Sequence, residues 1–170
     1  MNPTQPRQPD PMIGQVLDGR YELTEFIAEG GMGAVYKARQ RALDREVVVK
    51  LLLPNVRSVD EFQQRFFLEA SLCARLSHPN IVRIFDYGCH AANTYYIVME
   101  HLKGMTLQQF FRKRGHLSIR RSLGMAKQVC AALVEAHDQG LIHRDIKPDN
   151  LIVSEDAMGR DFVKILDFGV

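Results

Sequence analysis

Residues 142–150 read Ile-His-Arg-Asp-Ile-Lys-Pro-Asp-Asn, so two cations, two carboxylates and an amide lie close together in an otherwise apolar segment. Pro148 cannot continue a helix, and it biases Lys147 towards an extended backbone. We therefore expect these polar side chains on a shaped loop that presents several groups to one ligand. A polar surface loop between two strands would explain neither this order nor the Asp-Phe-Gly sequence at residues 167–169.

Both stretches resemble the catalytic motifs of protein kinases. Residues 143–145 read His-Arg-Asp, four residues follow, and Asn150 completes the order of the kinase catalytic loop. The Asp-Phe-Gly sequence then follows at a kinase-like distance. Residues 18–21 (Asp-Gly-Arg-Tyr) and 30–33 (Gly-Gly-Met-Gly) resemble the bacterial Ser/Thr kinases of eukaryotic type.

The kinase resemblance implies a role for each polar residue, because phosphoryl transfer depends on positioning and charge neutralisation. Asp145 would accept the proton of the substrate hydroxyl, and Lys147 would neutralise the transferring phosphoryl group. Asn150 and Asp167 would hold Mg²⁺, with Mn²⁺ as an alternative. A lysine two residues after Asp145 resembles the Ser/Thr-specific branch, so the expected substrates are Ser and Thr hydroxyls of proteins. Arg144 resembles the arginine that pairs with a phosphorylated activation loop.

Composition and charge are those of an ordinary globular protein. The 170 residues suit one domain or two small lobes, and 46% apolar residues are enough for a buried core. A net charge of +2 does not by itself favour binding to nucleic acid. Three cysteines without metal-ligand spacing indicate reduced thiols, and the sequence has neither a signal-peptide pattern nor a membrane-spanning run. The sequence therefore predicts a cytoplasmic location and no membrane segment in this chain.

The order of turn residues and apolar runs, together with the resemblance, predicts an α+β, protein-kinase-like fold. Residues 1–14 hold four of the seven prolines and are expected to form a disordered leader. Residues 15–100 would form a kinase N-lobe, with a small antiparallel sheet of about five strands and one helix. Residues 101–170 would form the hinge and the beginning of a mainly helical C-lobe.

A glycine-rich segment separates the first two predicted strands. Glycines there allow a hairpin turn and a close approach of backbone N–H groups to phosphate oxygens, although a plain hairpin would fit the segment equally well. The kinase pattern is G-x-G-x-x-G-x-V, and the chain has Ala28 at its first glycine. We expect this change to weaken nucleotide binding without abolishing it. By resemblance, the nucleotide-binding residues here are Ile27, Ala28, Gly30, Gly31, Gly33 and Val35.

The sequence places a lysine in a buried strand and a glutamate in the apolar stripe of a helix, and an ion pair between the two would stabilise both charges. Lys50 lies within the apolar run of residues 47–53, where an unpaired ammonium group would be costly. An apolar stripe spaced 4, 3, 4 and 3 then predicts a helix over residues 59–76 with one inward face: Phe62, Phe66, Glu69, Cys73 and Leu76. We predict an ion pair between Lys50 and Glu69, as in active kinases, unless Lys50 extends to solvent. By resemblance, Lys50 would also contact the α- and β-phosphates of ATP.

The adenine pocket is expected from the resemblance alone. Val48 stands where the family usually has an alanine over the adenine, so this pocket would be narrower. Met99 would be the gatekeeper, and Glu100 and Leu102 would bind the adenine edge through backbone groups. Ile152 would form the floor of the pocket.

Two further helices are predicted in the second half of the chain. A short one over residues 106–114 would end at Gly115. A long one would begin after Ser118 as its N-cap and run to about residue 139. A stripe spaced 4, 3, 4, 3 and 4 predicts its inward face: Ile119, Leu123, Ala126, Cys130, Leu133 and His137.

Three functions remain open. The first is a Ser/Thr protein kinase, and the second is an inactive nucleotide-binding pseudokinase or regulator that acts by association, which Ala28 and Val48 would favour. The third is a small-molecule phosphotransferase of the same fold, which Lys147 disfavours. Because only Val170 follows the Asp-Phe-Gly sequence, the resemblance covers the first part of a kinase domain. We expect the 170-residue chain alone to be inactive, and exposed apolar surface to favour self-association.

Overall fold

The computed structural model describes residues 10–30, 33–52, 59–91 and 94–168. Contacts within the chain separate two units. The first comprises Met1–Asn55 and Gly88–His101, and the second comprises Val56–Tyr87 and Leu102–Val170. The helix expected in the N-lobe thus belongs to the second unit, and the division into residues 15–100 and 101–170 stays a prediction.

An antiparallel sheet organises the first unit, and its strands follow runs of β-branched and aromatic residues. Its six strands are β1 (Val16–Leu17), β2 (Tyr21–Gly30), β3 (Gly33–Gln40), β4 (Arg45–Leu52), β5 (Ile84–His90) and β6 (Thr94–Glu100), and β5 begins within the second unit. Their order is β1-β2-β3-β4-β6-β5. The sequence predicted about five strands, because the two-residue β1 is too short to show a pattern.

Side chains alternate between the two faces of this sheet, as the pleat requires. Tyr36, Val49 and Val98 occupy one row of paired residues across β3, β4 and β6, and all three are buried. Leu17 and Leu23 are also fully buried. These residues form the apolar core of the first unit, and Lys50 lies on the opposite face of β4 beside the buried apolar residues Leu52 and Ile97.

Residues 10–14 differ from the predicted disordered leader. The N–H of Gly14 donates to the carbonyl of Leu23 at 2.8 Å, and the Tyr36 hydroxyl donates to the Asp10 carboxylate at 3.0 Å. These long-range hydrogen bonds fix the chain from Asp10 onwards, which a proline count does not foresee. The prediction for residues 1–9 lies outside the described residues.

Helix α1 (Val59–Arg75) confirms the helix predicted over residues 59–76. Acidic Asp60 in its first turn and Arg75 in its last turn have the signs that the helix dipole favours. None of the five stripe residues is exposed: Phe66, Cys73 and Leu76 are buried, and Phe62 and Glu69 are half-buried. The predicted inward face of this helix is therefore confirmed.

Capping residues set the ends of the next two helices, α2 (Leu107–Arg114) and α3 (Ile119–Asp138). The Thr106 hydroxyl accepts from the N–H of Gln109, and the Gln109 side chain accepts from the N–H of Thr106, which is a capping box. Gly115 follows α2 with a φ of 76°, and Ser118 caps α3. Both predicted helices are confirmed to within a residue at each end.

The inward face predicted for α3 is wrong except at Leu133, which is half-buried and packs against the core. Ile119 and Leu123 are 80% and 66% exposed, and Ala126, Cys130 and His137 are exposed as well. The fully inward residues are instead Met125, Ala132 and Ala136, and α3 packs against β9. Alanine side chains let the helix backbone approach the strand closely, so this narrower face is the one that is buried.

A second sheet carries the loop of residues 142–150 into the Asp-Phe-Gly sequence. Its strands are β7 (Met105–Thr106), β8 (Leu151–Glu155) and β9 (Asp161–Ile165), in that order and antiparallel. Strands β8 and β9 form a hairpin, and its tight turn includes Gly159 with a φ of 71°. Within the described ranges, no helix is long and apolar enough to cross a membrane.

Candidate functional site

The catalytic-loop candidate follows α3 and ends in a 3₁₀ turn at Pro148–Asn150. Lys147 before the proline is extended, as the proline predicts, with a φ of −150° and a ψ of 162°. Arg144 has a φ of 65°, an uncommon value for a residue with a Cβ. The loop is therefore held in a specific shape by its neighbours rather than by local backbone preference.

Asp145 is the centre of the hydrogen bonds in this loop. Its carboxylate accepts from the Lys147 ammonium at 2.7 Å and from the Asn150 amide at 3.0 Å. The hydrogen bond from Lys147 lowers the pKa of Asp145, and the Asp145 carboxylate in turn raises the pKa of Lys147. Asp145 is thus ionised at neutral pH and exposed, as a proton acceptor must be.

The buried side chain of His143 connects the catalytic-loop candidate to the Asp-Phe-Gly segment, a role that was not predicted from the sequence. Its ring is only 2% exposed, and its Nδ1 accepts from the N–H of Asp145 at 3.2 Å. Its Nε2 lies 2.7 Å from the carbonyl oxygen of Leu166, which can only accept, so the proton is on Nε2. The ring also meets Phe168 edge to face, with 4.7 Å between centroids. The position of His143, two residues before Asp145, is the feature of the sequence from which this connecting role could have been predicted.

The two residues predicted to hold a metal lie at adjacent ends of the β8–β9 hairpin. The N–H of Leu166, just before Asp167, donates to the backbone carbonyl of Asn150 at 2.9 Å. The side-chain nitrogen of Asn150 donates to Asp145, which leaves its Oδ1 as an acceptor. An amide oxygen and a carboxylate are oxygen ligands of the kind that Mg²⁺ takes, and this donor set fits such an ion.

A divalent cation held by Asn150 and Asp167 would take further ligands beside these two side chains. Among the described residues, no group of three or more His, Cys, Asp or Glu side chains could hold a metal. Mg²⁺ commonly keeps water and phosphate oxygens beside one or two carboxylates. The pair of Asn150 and Asp167 therefore suits a cation that arrives with a phosphorylated ligand.

Glu69 and Cys73 lie on the inward face of α1, in the same unit as the loop. Burial is the main cause that raises the pKa of the Cys73 thiol to about 12, and the Glu69 and Asp167 carboxylates add to this rise. The Cys73 sulfur lies 3.1 Å from the carbonyl oxygen of Phe168. The second unit thus brings Glu69, Cys73 and the Asp-Phe-Gly segment into one neighbourhood.

In the first unit, five of the predicted nucleotide residues share one face of the sheet: Ala28, Val35, Val48, Lys50 and Met99. Ala28 is paired with Val35 and Val35 with Lys50 across β2, β3 and β4. Val48 precedes Lys50 by two residues and is paired with Met99. Residues opposite each other, or two apart along a strand, point to the same side. Lys50 is only 7% exposed on this face.

The β2–β3 hairpin requires a glycine at one position. Gly33 has a φ of 140°, and a Cβ added there would lie 1.8 Å from the carbonyl oxygen of Leu51. Gly30 is paired with Gly33, and Ile27 is the extra residue between paired Phe26 and Ala28, where the register shifts. Gly30 and Gly33 thus face each other at the ends of β2 and β3, Gly31 lies outside the described residues, and phosphate binding by this segment stays a prediction.

Several predicted contacts join residues of the two units and stay predictions. These include the ion pair between Lys50 and Glu69. Glu100 is half-buried and ends β6, whereas Leu102 and Ile152 belong to the second unit and are half-buried there. The adenine pocket predicted from these residues likewise stays a prediction.

Comparison with known proteins shows the family that this chain resembles. The family model for the protein kinase domain matches residues 21–170. The serine/threonine-protein kinase PrkC of Bacillus subtilis is 41% identical over 159 residues, which are 94% of this chain and 24% of PrkC. The chain spans 22% to 37% of the length of the curated relatives that it matches.

Solved structures give the same result. The PknI kinase domain of Mycobacterium tuberculosis superimposes with a TM-score of 0.79 at 29% identity, over 93% of this chain and 62% of that one. A structure of Rad53 residues 1–466 in complex with AMP-PNP has a TM-score of 0.76 at 28% identity, over 88% of this chain and 38% of that one.

Proposed function

Because the chain belongs to the protein kinase family, we propose that it acts as a Ser/Thr protein kinase, which transfers the γ-phosphoryl group of ATP to Ser or Thr hydroxyls of a protein. The observation that carries this proposal is the pair of hydrogen bonds on the Asp145 carboxylate, from Lys147 and Asn150. They hold one carboxylate oxygen in a fixed direction and keep the group ionised. Asp145 can then orient a substrate hydroxyl and accept its proton.

In the proposed reaction, the substrate hydroxyl oxygen forms a bond to the γ-phosphorus and the bond from that phosphorus to the β-phosphate oxygen breaks. The hydroxyl proton passes to Asp145, and ADP leaves. Lys147 lies beside Asp145 and bears an ammonium whose pKa is raised, so it stays charged near the transferring phosphoryl group. Most of the catalytic effect would come from such positioning and charge neutralisation.

Asn150 and Asp167 would hold Mg²⁺, and Mn²⁺ is the alternative, since both take oxygen ligands. Such an ion, when bound, neutralises phosphate charge and fixes the phosphate geometry. In the first unit, Lys50 and the backbone of the glycine-containing hairpin would bind the phosphates. Rad53 has been solved with AMP-PNP, which supports a nucleotide as the ligand of this fold.

The proposal is tested by nucleotide binding to the purified chain, measured calorimetrically with and without Mg²⁺. The wild type, Lys50→Ala and Asp167→Ala are compared with exposed, matched controls, Lys113→Ala and Asp138→Ala. We expect Mg²⁺-dependent binding that both site variants lose and both controls keep. A folded wild type that binds no nucleotide, or binding that neither site variant changes, would overturn the proposal.

Phosphotransfer to a Ser/Thr-containing peptide library, measured on a complete protein that contains this chain, separates the two functional candidates. The exposed apolar stripe on α3 gives the alternative, a nucleotide-binding regulator that acts by association, its own structural support. Mg²⁺-dependent binding with transfer that Asp145→Asn abolishes identifies an enzyme. Binding without transfer in the complete protein favours the regulator.

A further inference from the structure

The backbone on both sides of Asp167 is held by a buried side chain. The carbonyl of Leu166, before it, accepts from His143 at 2.7 Å, and the carbonyl of Phe168, after it, accepts from the Cys73 thiol at 3.1 Å. Asp167 itself has a φ of 53°, in the left-handed region that residues with a Cβ rarely adopt. Such a conformation persists only where the surroundings impose it.

The burial and the protonation state of the Cys73 thiol both suit it to donate a hydrogen bond to the Phe168 carbonyl. It is 4% exposed, so water does not compete for the bond, and the Phe168 carbonyl can only accept. Its raised pKa keeps the proton on sulfur at neutral pH. Cys73 also lies one helical turn after Glu69 on α1, so the bond ties the Asp-Phe-Gly segment to the face of α1 that carries Glu69.

We propose that Cys73 is a positioning residue for Asp167: its S–H group donates to the Phe168 carbonyl and thereby holds the Asp167 backbone in the conformation that aims its carboxylate at the cation. This inference rests on the proposed function, since it concerns the use of Asp167 as a metal ligand. A role in packing alone would be served equally by an apolar side chain of similar size. The positioning role requires the S–H donor of Cys73, whereas a packing role does not.

The hydrogen bond is tested directly by the infrared S–H stretching band. The sequence has three cysteines, so in the Cys89→Ala/Cys130→Ala double variant Cys73 carries the only thiol. We expect its band at a lower wavenumber than that of a thiol in an apolar solvent, because hydrogen bonding weakens the S–H bond. A band at or above the apolar reference would overturn the proposal, whatever the nucleotide-binding results show.

The positioning role is tested by the Mg²⁺ concentration that gives half-maximal nucleotide binding. Cys73→Ala removes the donor and should raise this concentration about three- to tenfold, whereas Cys73→Ser keeps a donor and should stay nearer to the wild type. Nucleotide affinity without Mg²⁺ should be unchanged in both. Cys130→Ala and Cys130→Ser, at the matching but exposed place on α3, are the controls and should have no effect.

The outcomes separate this inference from the proposed function. If the wild type requires Mg²⁺, and Cys73→Ala and Cys73→Ser need the same Mg²⁺ concentration for half-maximal binding, only the positioning role is overturned. A wild type that shows no Mg²⁺ requirement overturns both. Urea unfolding of each variant shows that the comparison is made on folded protein.

Discussion

Helices α1 and α3 carry apolar stripes of the same spacing, each with a cysteine in fourth place, yet only one stripe is covered. Cys73 on α1 is buried in the core of the second unit, whereas Cys130 on α3 is exposed to solvent. On α3 the covered face is instead the one with Ala132 and Ala136, which packs towards β9. Equal spacing therefore defines which residues share a face, but the surface opposite decides whether that face is buried.

The largest difference between the two stripes should appear in thiol reactivity. With a pKa of about 12, fewer than about one in ten thousand Cys73 thiols are ionised at pH 7.5, and the thiolate is the reactive form. We expect Cys130 to be alkylated at least about a thousandfold faster in the native wild type. Peptide mass spectrometry after timed alkylation measures both rates in one sample. In urea the two rates should converge, and native rates within tenfold of each other would contradict the comparison.

Truncation of an aromatic residue on α1 should give the largest change in stability. Phe66 is buried and its ring contacts those of Phe67 and Tyr87. Phe66→Ala should lower the free energy of unfolding by about 3–5 kcal/mol, and Leu123→Ala on the exposed stripe by about 0.5 kcal/mol or less. Urea denaturation followed by circular dichroism measures both.

Phe66→Leu, which should cost about 1 kcal/mol, keeps the test informative if the alanine variant does not fold. Equal losses at Phe66 and Leu123 would show that the α3 stripe is covered in solution.

Enlarging the small residues of α3 tests its covered face. Ala132 is fully buried, so Ala132→Leu should overpack the contact with β9 and cost about 1–3 kcal/mol. Ala126→Leu adds the same atoms to the exposed stripe and should be close to neutral. The two free energies of unfolding are compared by urea denaturation, and the reverse order would mean that α3 is rotated about its axis.

An ion pair at the start of α3 should make a smaller, pH-dependent contribution. Arg121 donates two hydrogen bonds to Asp161 at the start of β9, and they lower the pKa of the Asp161 carboxyl. A lowered folded-state pKa stabilises the protein above the unfolded value of about 3.9, and this stabilisation disappears as the pH falls through the folded value. Because the Arg121 side chain is 38% exposed, we expect about 1 kcal/mol.

Asp161→Asn tests this contribution. Its unfolding free energy should be lower than that of the wild type at pH 7, and the two should approach each other near pH 3. A constant gap between these pH values would assign the loss to packing instead of charge. Asp138→Asn at the exposed end of α3 is the matched control.

Local chemistry made much of the fold predictable. Thr106, Ser118 and Gly115 set helix ends through contacts with residues a few positions away, so the sequence contains the whole interaction. The catalytic-loop candidate was predictable for the same reason, since Asp145, Lys147 and Asn150 contact one another within six residues.

The features that were missed depend on residues distant in sequence. Residues 10–14 are held in place by hydrogen bonds with Leu23 and Tyr36. The exposure of Leu123 depends on which surface faces α3. Cys73 was assigned to a stripe, but its contact with Phe168 joins residues 95 positions apart. Spacing along one helix contains no information about such partners.

The two units are interleaved along the chain, and this has a consequence for biosynthesis. A ribosome that has delivered residues up to Asn55 has not yet supplied β6, the strand that pairs with β4. At about 5–20 residues per second, β4 waits several seconds with an open edge. The second unit, begun at Val56, is interrupted by Gly88–His101 and completes its sheet only with β9. Expression of either unit alone therefore requires joining its two chain segments, because no single cut separates them.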